Sequence, residues 1–131
     1  MNPLFSLIIP VYNSEKYISS CIKSAMRQNY NTEKYEIIII NDGSNDGTAK
    51  ICNRFKKNKS IKIINNIKNI GVSKSRNIGI KRASGHYIIF LDSDDELKHG
   101  ALNSIEKILK NNNIDLLLSI YFKKKYKYNY L

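Results

Sequence analysis

The sequence predicts an α/β fold in which helices cover both faces of a mostly parallel sheet. Three observations carry that expectation. Short apolar runs of strand length alternate with segments whose apolar residues recur at helical spacing, a β-α-β-α-β-α-β-α-β rhythm. Polar clusters rich in Asn, Asp, Gly and Ser follow several of the runs. The 131 residues are 42% hydrophobic, which suits one domain with a buried core and excludes a disordered chain.

The elements follow in order. Residues 5–10 form the first strand, closed by Pro10, which has no N–H to give a sheet ladder. Ile18, Cys21, Ile22, Ala25 and Met26 make a helical stripe, with Ser14 as the expected N-cap and Glu15 in the first turn. Residues 35–40 read as a strand buried on both faces, and residues 41–48 as a loop. Thr48, Ile51, Cys52 and Phe55 mark the next helix, and residues 60–64 the third strand. Gly71 precedes a helix over residues 72–83, which Gly85 closes. Gly79 inside that helix costs about 1 kcal/mol relative to Ala, so a close approach to the sheet or to a ligand is expected there. Residues 86–91 form the fourth strand, Leu102, Ile105, Ile108 and Leu109 the fourth helix, and residues 114–122 a fifth strand. With no internal repeat or linker, the domain spans residues 1–122, and the Lys/Tyr tail of residues 123–131 is peripheral.

Several classes are excluded or made poor. No apolar run approaches the roughly 20 residues of a membrane helix. The apolar opening has no basic flank or small-residue cleavage site of a secretory signal. Cys21 and Cys52 lie on apolar helical stripes and lack metal-site spacing, so they read as core residues in a reducing, cytoplasmic setting. His86 and His99 are isolated, and no P-loop or Gly-x-Gly-x-x-Gly pattern follows the first strand. The net charge of +11 would suit nucleic acid or an anionic membrane. Eighteen of the 22 cations are Lys, however, and Asn and Ile are abundant, which is the mark of an AT-rich coding bias, so no nucleic-acid partner is expected.

The acids are the more telling charges, because four of the 11 fall between Asp92 and Glu96. In extended backbone Asp92 and Asp94 face one side and Asp95 the other. Two ionised carboxylates side by side need a cation or solvent, and Mg²⁺ or Mn²⁺ accepts one or two carboxylates together with phosphate oxygens. The competing reading is a solvated acidic turn that starts the next helix. The loop Asn41-Asp42-Gly43-Ser44-Asn45-Asp46-Gly47-Thr48 puts Asp42 at a strand tip, where it can accept a hydrogen bond from a base or sugar; the competing reading is a plain turn in which Asp46 or Thr48 caps the next helix. Pro10-Val11-Tyr12-Asn13 supplies an aromatic face for a planar base. Gly71 at a helix start resembles an anion site, with Lys74, Arg76 and Asn77 on the first turns. Three of these clusters, Pro10–Asn13, Asn41–Gly47 and Asp92–Asp95, follow strand ends, and open parallel sheets bind ligands outside the carboxyl ends of their strands.

Four segments together resemble the inverting family-two glycosyltransferases of GT-A fold. They are Ser6-Leu-Ile-Ile-Pro-Val-Tyr-Asn13, Ile39-Ile-Asn-Asp-Gly-Ser-Asn-Asp-Gly-Thr48, Asn69-Ile-Gly-Val-Ser-Lys-Ser-Arg-Asn-Ile-Gly79 and Gly85-His-Tyr-Ile-Ile-Phe-Leu-Asp-Ser-Asp-Asp95, in family order and at family spacing. The resemblance implies the Rossmann-like, three-layer nucleotide-binding half of a GT-A domain. It implies a nucleotide-sugar donor, most commonly UDP-linked, around Pro10, Tyr12, Asn13, Asp42, Arg76, Asn77 and Asp92. Asp92 and Asp94 become the Asp-x-Asp pair for Mn²⁺ or Mg²⁺, and the acceptor is a glycan, lipid-linked or protein group. The general base is expected beyond Leu131, so the chain reads as a donor-binding module without a complete acceptor site. An uncovered sheet edge implies self-association, and the acceptor class implies peripheral association with the inner face of the cell membrane. Two other readings compete. A phosphoryl-transfer site would use Asp92 as nucleophile but lacks a placed Lys. A basic module for nucleic acid or anionic membrane would bind in a salt-sensitive way.

Overall fold

Four parallel strands lie side by side in the order β3-β2-β1-β4. They are β1 (Phe5–Val11), β2 (Tyr35–Asn41), β3 (Ile61–Asn65) and β4 (Tyr87–Phe90). Around them run α1 (Ile18–Met26), α2 (Thr48–Asn53), α3 (Val72–Arg82) and α4 (Ala101–Asn111). Two short strands, β5 (Glu96–Leu97) and β6 (Phe122–Lys123), pair antiparallel, with Leu97 opposite Phe122. The structure, a computed structural model, describes residues 2–111 and 122–123. Among the described residues no helix is long and apolar enough to cross a membrane.

The two central strands are buried along their whole length, as parallel strands covered on both faces must be. One face carries Phe5, Leu7, Ile9, Ile37 and Ile39 against Ile18, Cys21 and Ile22 of α1, Cys52 of α2 and Leu102 and Ile105 of α4. The other face lies against α3, and Gly79 is the reason the helix comes so close: a Cβ there would collide with the side chain of fully buried Ile8. The close approach expected at Gly79 is therefore to the sheet. Each fully buried Ile or Leu contributes roughly 1.5–3 kcal/mol by leaving water, and the sheet faces hold most of them.

The register brings the carboxyl ends into line, with Val11, Asn41 and Asn65 side by side. Because β4 adds on the far side of β1 from β2, the chain reverses its order of travel between β1 and β4. Such a reversal opens a crevice at the carboxyl edge.

Three local expectations are corrected. Ser14 does not cap α1: the helix starts with Tyr17 at its N-cap, and the Ser14 hydroxyl instead donates to the Tyr12 carbonyl at 3.2 Å and shares a 2.9 Å bond with Ser93. Gly85 does not close α3, which ends at Arg82 with Ala83 as C-cap. Gly85 is needed two residues later because a Cβ there would lie 2.5 Å from the Ser6 nitrogen. Strand β5 was not expected, since two residues carry no periodicity. Of the expected fifth strand, residues 114–121 lie outside the described residues, as do residues 124–131 of the tail.

Candidate functional site

The loops after β1, β2 and β4 and the start of α3 enclose a cleft of about 460 Å³ at the carboxyl edge. Pro10 and Tyr12 come from the end of β1, Asp42 from the end of β2, Arg76 from α3, and Asp92 and Asp94 from the turn after β4. These are six of the eight residues expected from the sequence. Five more residues line it, Val11, Asn69, Val72, Ser75 and Ser93, none of them an expected site residue, although each lies inside a segment expected at the site.

Asp42 is 2% exposed and its carboxylate is held on several sides. Oδ1 accepts from Asn66 Nδ2 at 2.8 Å and from the Ile70 N–H at 3.0 Å; Oδ2 accepts from the Gly71 N–H at 2.9 Å. Burial alone would push its pKa up. The Asn66 amide and the two backbone N–H groups outweigh burial and hold the carboxyl below its ordinary value. Asp42 therefore fastens the turn leading into α3 and stays ionised, with acceptor capacity left on Oδ2. The contact is made possible at Gly43, whose φ of +67° and close approach to the Lys68 backbone leave no room for a side chain.

Arg76 and Asp92 form an ion pair, Nη2 to Oδ1, at 2.8 Å. The guanidinium carbon stands 5.5 Å from the centre of the Phe90 ring, which orients it by a cation–π contact. Arg76 Nε is buried and has no hydrogen-bond partner. With both groups partly exposed, the pair is worth little as a stabiliser, and its consequence is orientation.

Asp92 and Asp94 do share the cleft, but not through extended backbone. β4 ends at Phe90, and the Asp95 N–H donates to the Asp92 carbonyl at 3.0 Å, closing a tight turn that carries Asp92, Ser93 and Asp94 into the lining. The turn is held from below by the Ser93–Ser14 hydroxyl bond and by the Cys21 thiol, which donates to the Asp92 carbonyl at 3.4 Å.

Asn13 and Asn77 do not line the cleft. Asn13 adopts φ +46°, and its Oδ1 accepts from the Asn45 N–H at 3.0 Å, so it clamps the loop after β2. Asn77 is exposed on α3. The N-cap of α2 is Gly47 rather than Asp46 or Thr48, and Asp46 instead holds the turn before it, its Oδ1 accepting from the Thr48 N–H at 2.9 Å.

Among the described residues no group of three or more His, Cys, Asp or Glu side chains converges on a metal position. A Zn²⁺-type cage is thus not formed by them. The pair of exposed carboxylates fits a different demand, that of a hard cation which takes one or two carboxylates and fills its shell with phosphate oxygens and water.

Known proteins share the fold. The family description "Glycosyl transferase family 2" matches residues 6–130. The chain is 29% identical over 123 residues to the glycosyltransferase GlyG of Streptococcus pneumoniae, covering 93% of this chain and 40% of that protein. It is 32% identical over 115 residues to the poly(ribitol-phosphate) beta-N-acetylglucosaminyltransferase TarS of Staphylococcus aureus, covering 87% of this chain and 20% of TarS. The crystal structure of TarS 1–349 in complex with UDP-GlcNAc superposes with a TM-score of 0.79 at 31% identity, over 83% of this chain and 32% of that one. A mannosyltransferase of Pyrobaculum calidifontis, solved with GDP-Man and Mn²⁺, shares the fold with a TM-score of 0.70 at 20% identity, over 76% of this chain and 30% of that one. The chain thus spans less than half the length of each of these relatives. Its parallel sheet, with helices on both faces, is the Rossmann-like nucleotide-binding architecture of the GT-A fold. With nearly all of its length matched, the chain belongs to glycosyl transferase family 2.

Proposed function

We propose that the cleft binds a nucleotide-diphosphate sugar together with Mn²⁺ or Mg²⁺ and presents the sugar for inverting transfer to a glycan, lipid-linked or protein acceptor. The observation that carries this reading is the convergence of Tyr12, Asp42, Arg76, Asp92 and Asp94 on one cleft at the carboxyl edge of a parallel sheet. Tyr12, 45% exposed, offers a face on which a nucleobase can stack. The remaining acceptor position on Asp42 Oδ2 suits an N–H of the base, and uracil has one on its Watson–Crick edge. The TarS complex with UDP-GlcNAc supports a UDP-linked donor.

Asp92 and Asp94 are the residues that would hold the cation. When bound, it supplies positive charge against the leaving diphosphate. The chain's own part is positioning. Arg76 orients Asp92 through the 2.8 Å pair, and its unpartnered Nε offers a donor to an anionic ligand oxygen. The carboxylates lining the cleft, Asp42, Asp92 and Asp94, are all assigned to donor binding, so the proposal includes no general base from the described residues and treats the chain as a donor-binding unit. A cytoplasmic location at the inner face of the membrane, and self-association, belong to the same reading.

The test is a calorimetric titration of UDP with and without Mn²⁺, repeated on Asp94→Ala. Asp94 is exposed, so the substitution leaves the core untouched. Metal-dependent binding that falls at least about tenfold in the variant is expected, because the carboxylate is a direct ligand. UDP binding that ignores Mn²⁺, or that survives Asp94→Ala unchanged, overturns the proposal.

A further inference from the structure

A second cleft, of about 420 Å³, shares no lining residue with the first. One wall is α1 and its C-cap: Ser20, Lys23 and Ser24 share one helical face at i, i+3 and i+4, and Arg27 follows as the C-cap residue. The opposite wall is the β5 segment and the turn after it, bearing Lys98 and His99. Among the described residues, three permanent cations and an imidazole therefore line it, with one acid, Glu96. Among the described residues, neither Lys23, Arg27 nor Lys98 lies in an ion pair with a carboxylate.

The walls are anchored to each other. Ser24 Oγ accepts from the Leu97 N–H at 2.9 Å while donating to the Cys21 carbonyl at 2.7 Å. One turn further on, fully buried Gln28 donates to the Ser24 carbonyl at 2.9 Å, and its Oε1 accepts from the Leu102 N–H at 3.4 Å. Lys98 and His99 are thus held facing Lys23 and Arg27 by bonds beneath the cations, which leaves the charged ends for a ligand. Helix C-terminal charge favours Lys23 and Arg27 where they are, but it does not account for Lys98 on the facing wall.

We propose that this cleft is a phosphate-binding site, taking a phosphomonoester or phosphodiester group. Several cations around one concavity exceed what a lone carboxylate needs, and they match a group with several charged oxygens. Arg27 supplies the planar fork that pairs with phosphate oxygens, Lys23 and Lys98 supply point charges, and Ser20 adds a hydroxyl. The inference goes beyond donor binding, because it concerns residues that have no part in the first cleft. It gives the protein a second anionic contact that could come from a soluble phosphodiester or from a lipid headgroup.

The test uses amide chemical shifts of the full chain titrated with glycerophosphoglycerol, and co-sedimentation with phosphatidylglycerol vesicles against phosphatidylcholine vesicles. Both probes carry the same phosphodiester, one free and one in a bilayer, so the tighter arm names the source. Shifts are expected at Ser20, Lys23, Arg27, Lys98 and His99. Lys23→Ala/Arg27→Ala should weaken binding about tenfold or more, as loss of two charge-assisted contacts implies. The charge-matched control Lys56→Ala/Lys57→Ala, on exposed residues outside both clefts, should change it less than about twofold. Lys98→Ala provides a second variant on the other wall. Equal weakening by test and control variants would show a net-charge effect and overturn the proposal. So would shifts confined to Asp42 and Gly71, or no binding to either probe. A parallel UDP–Mn²⁺ titration keeps the outcome separate from that of the first cleft and reports that each variant is folded.

Discussion

Glu36→Gln removes one negative charge from the middle of the sheet while keeping its shape. Glu36 sits on β2 with 6% exposure, in a strand otherwise made of apolar residues and Tyr and Asn at its ends. Its Oε1 accepts from Ser6 Oγ at 2.6 Å, from the Ser84 N–H at 2.6 Å and from Ser84 Oγ at 2.8 Å, and Lys62 Nζ lies 2.6 Å from Oε2. Burial by itself would push the carboxyl up. The Lys62 ammonium and the Ser6 and Ser84 donors outweigh it and hold the pKa at about 2, against an ordinary 4.5. At roughly 1.4 kcal/mol per tenfold change in proton affinity, the folded state favours the charged form by about 3 kcal/mol. Because the folded value is depressed, that stabilisation is fully present above pH 4.5 and is lost as pH falls toward 2. Gln cannot titrate and brings an NH₂ into a site built from donors, so Glu36→Gln should cost about 2–3 kcal/mol at neutral pH. Urea denaturation followed by circular dichroism at several pH values measures the gap between wild type and variant. The gap should narrow by about 2 kcal/mol between pH 5 and pH 3. A gap that stays constant over that range, or one below about 0.5 kcal/mol at pH 7, would refute the reasoning, since either result means that the donors do not favour the ionised form.

Two further outcomes follow from packing. Gly85→Ala would put a Cβ 2.5 Å from the Ser6 nitrogen and 2.6 Å from the Phe5 carbonyl carbon. The central-strand backbone cannot yield as a side chain could, so a loss of about 1–3 kcal/mol is expected, and an unchanged melting temperature would contradict it. Cys21 and Cys52 are fully buried, and burial pushes both thiols up, that of Cys52 to about 11. Neither should react with a disulfide reagent at pH 8 until the protein unfolds; fast reaction of the native protein would show that the core is open.

Much of the scaffold was legible because its signals are local. The apolar stripes of α1 and α4 and the long run in β2 have the period of their element, and the structure puts them in one core. Ser14 misled because a serine before an apolar helix is an ordinary N-cap signal, whereas here its hydroxyl bonds Ser93, 79 residues away in sequence. β5 exists only by pairing with Phe122 and Lys123, which no local pattern records. In the cleft, Pro10, Tyr12, Asp42, Arg76, Asp92 and Asp94 converge because each follows a strand end or starts a helix at the same sheet edge. Asn13 and Asn77 sit in the same segments but serve other ends: a left-handed clamp on a loop and an exposed helix position. Asn66, which fixes Asp42, lay between the segments that drew attention and had no signal of its own.

Element rhythm, the burial of the central strands and the residue types gathered at the carboxyl edge are legible along the chain, because hydrophobic period and residue type are local properties. Only the tertiary structure decided which partners those groups meet. It paired Arg76 with Asp92, closed Asp42 within the donors of the loop before α3, and held Glu36 ionised in the sheet. It also set Lys23 and Arg27 opposite Lys98 and His99. Each of these contacts joins residues on different elements, so its geometry depends on strand order and register, which the chain acquires only when the sheet assembles.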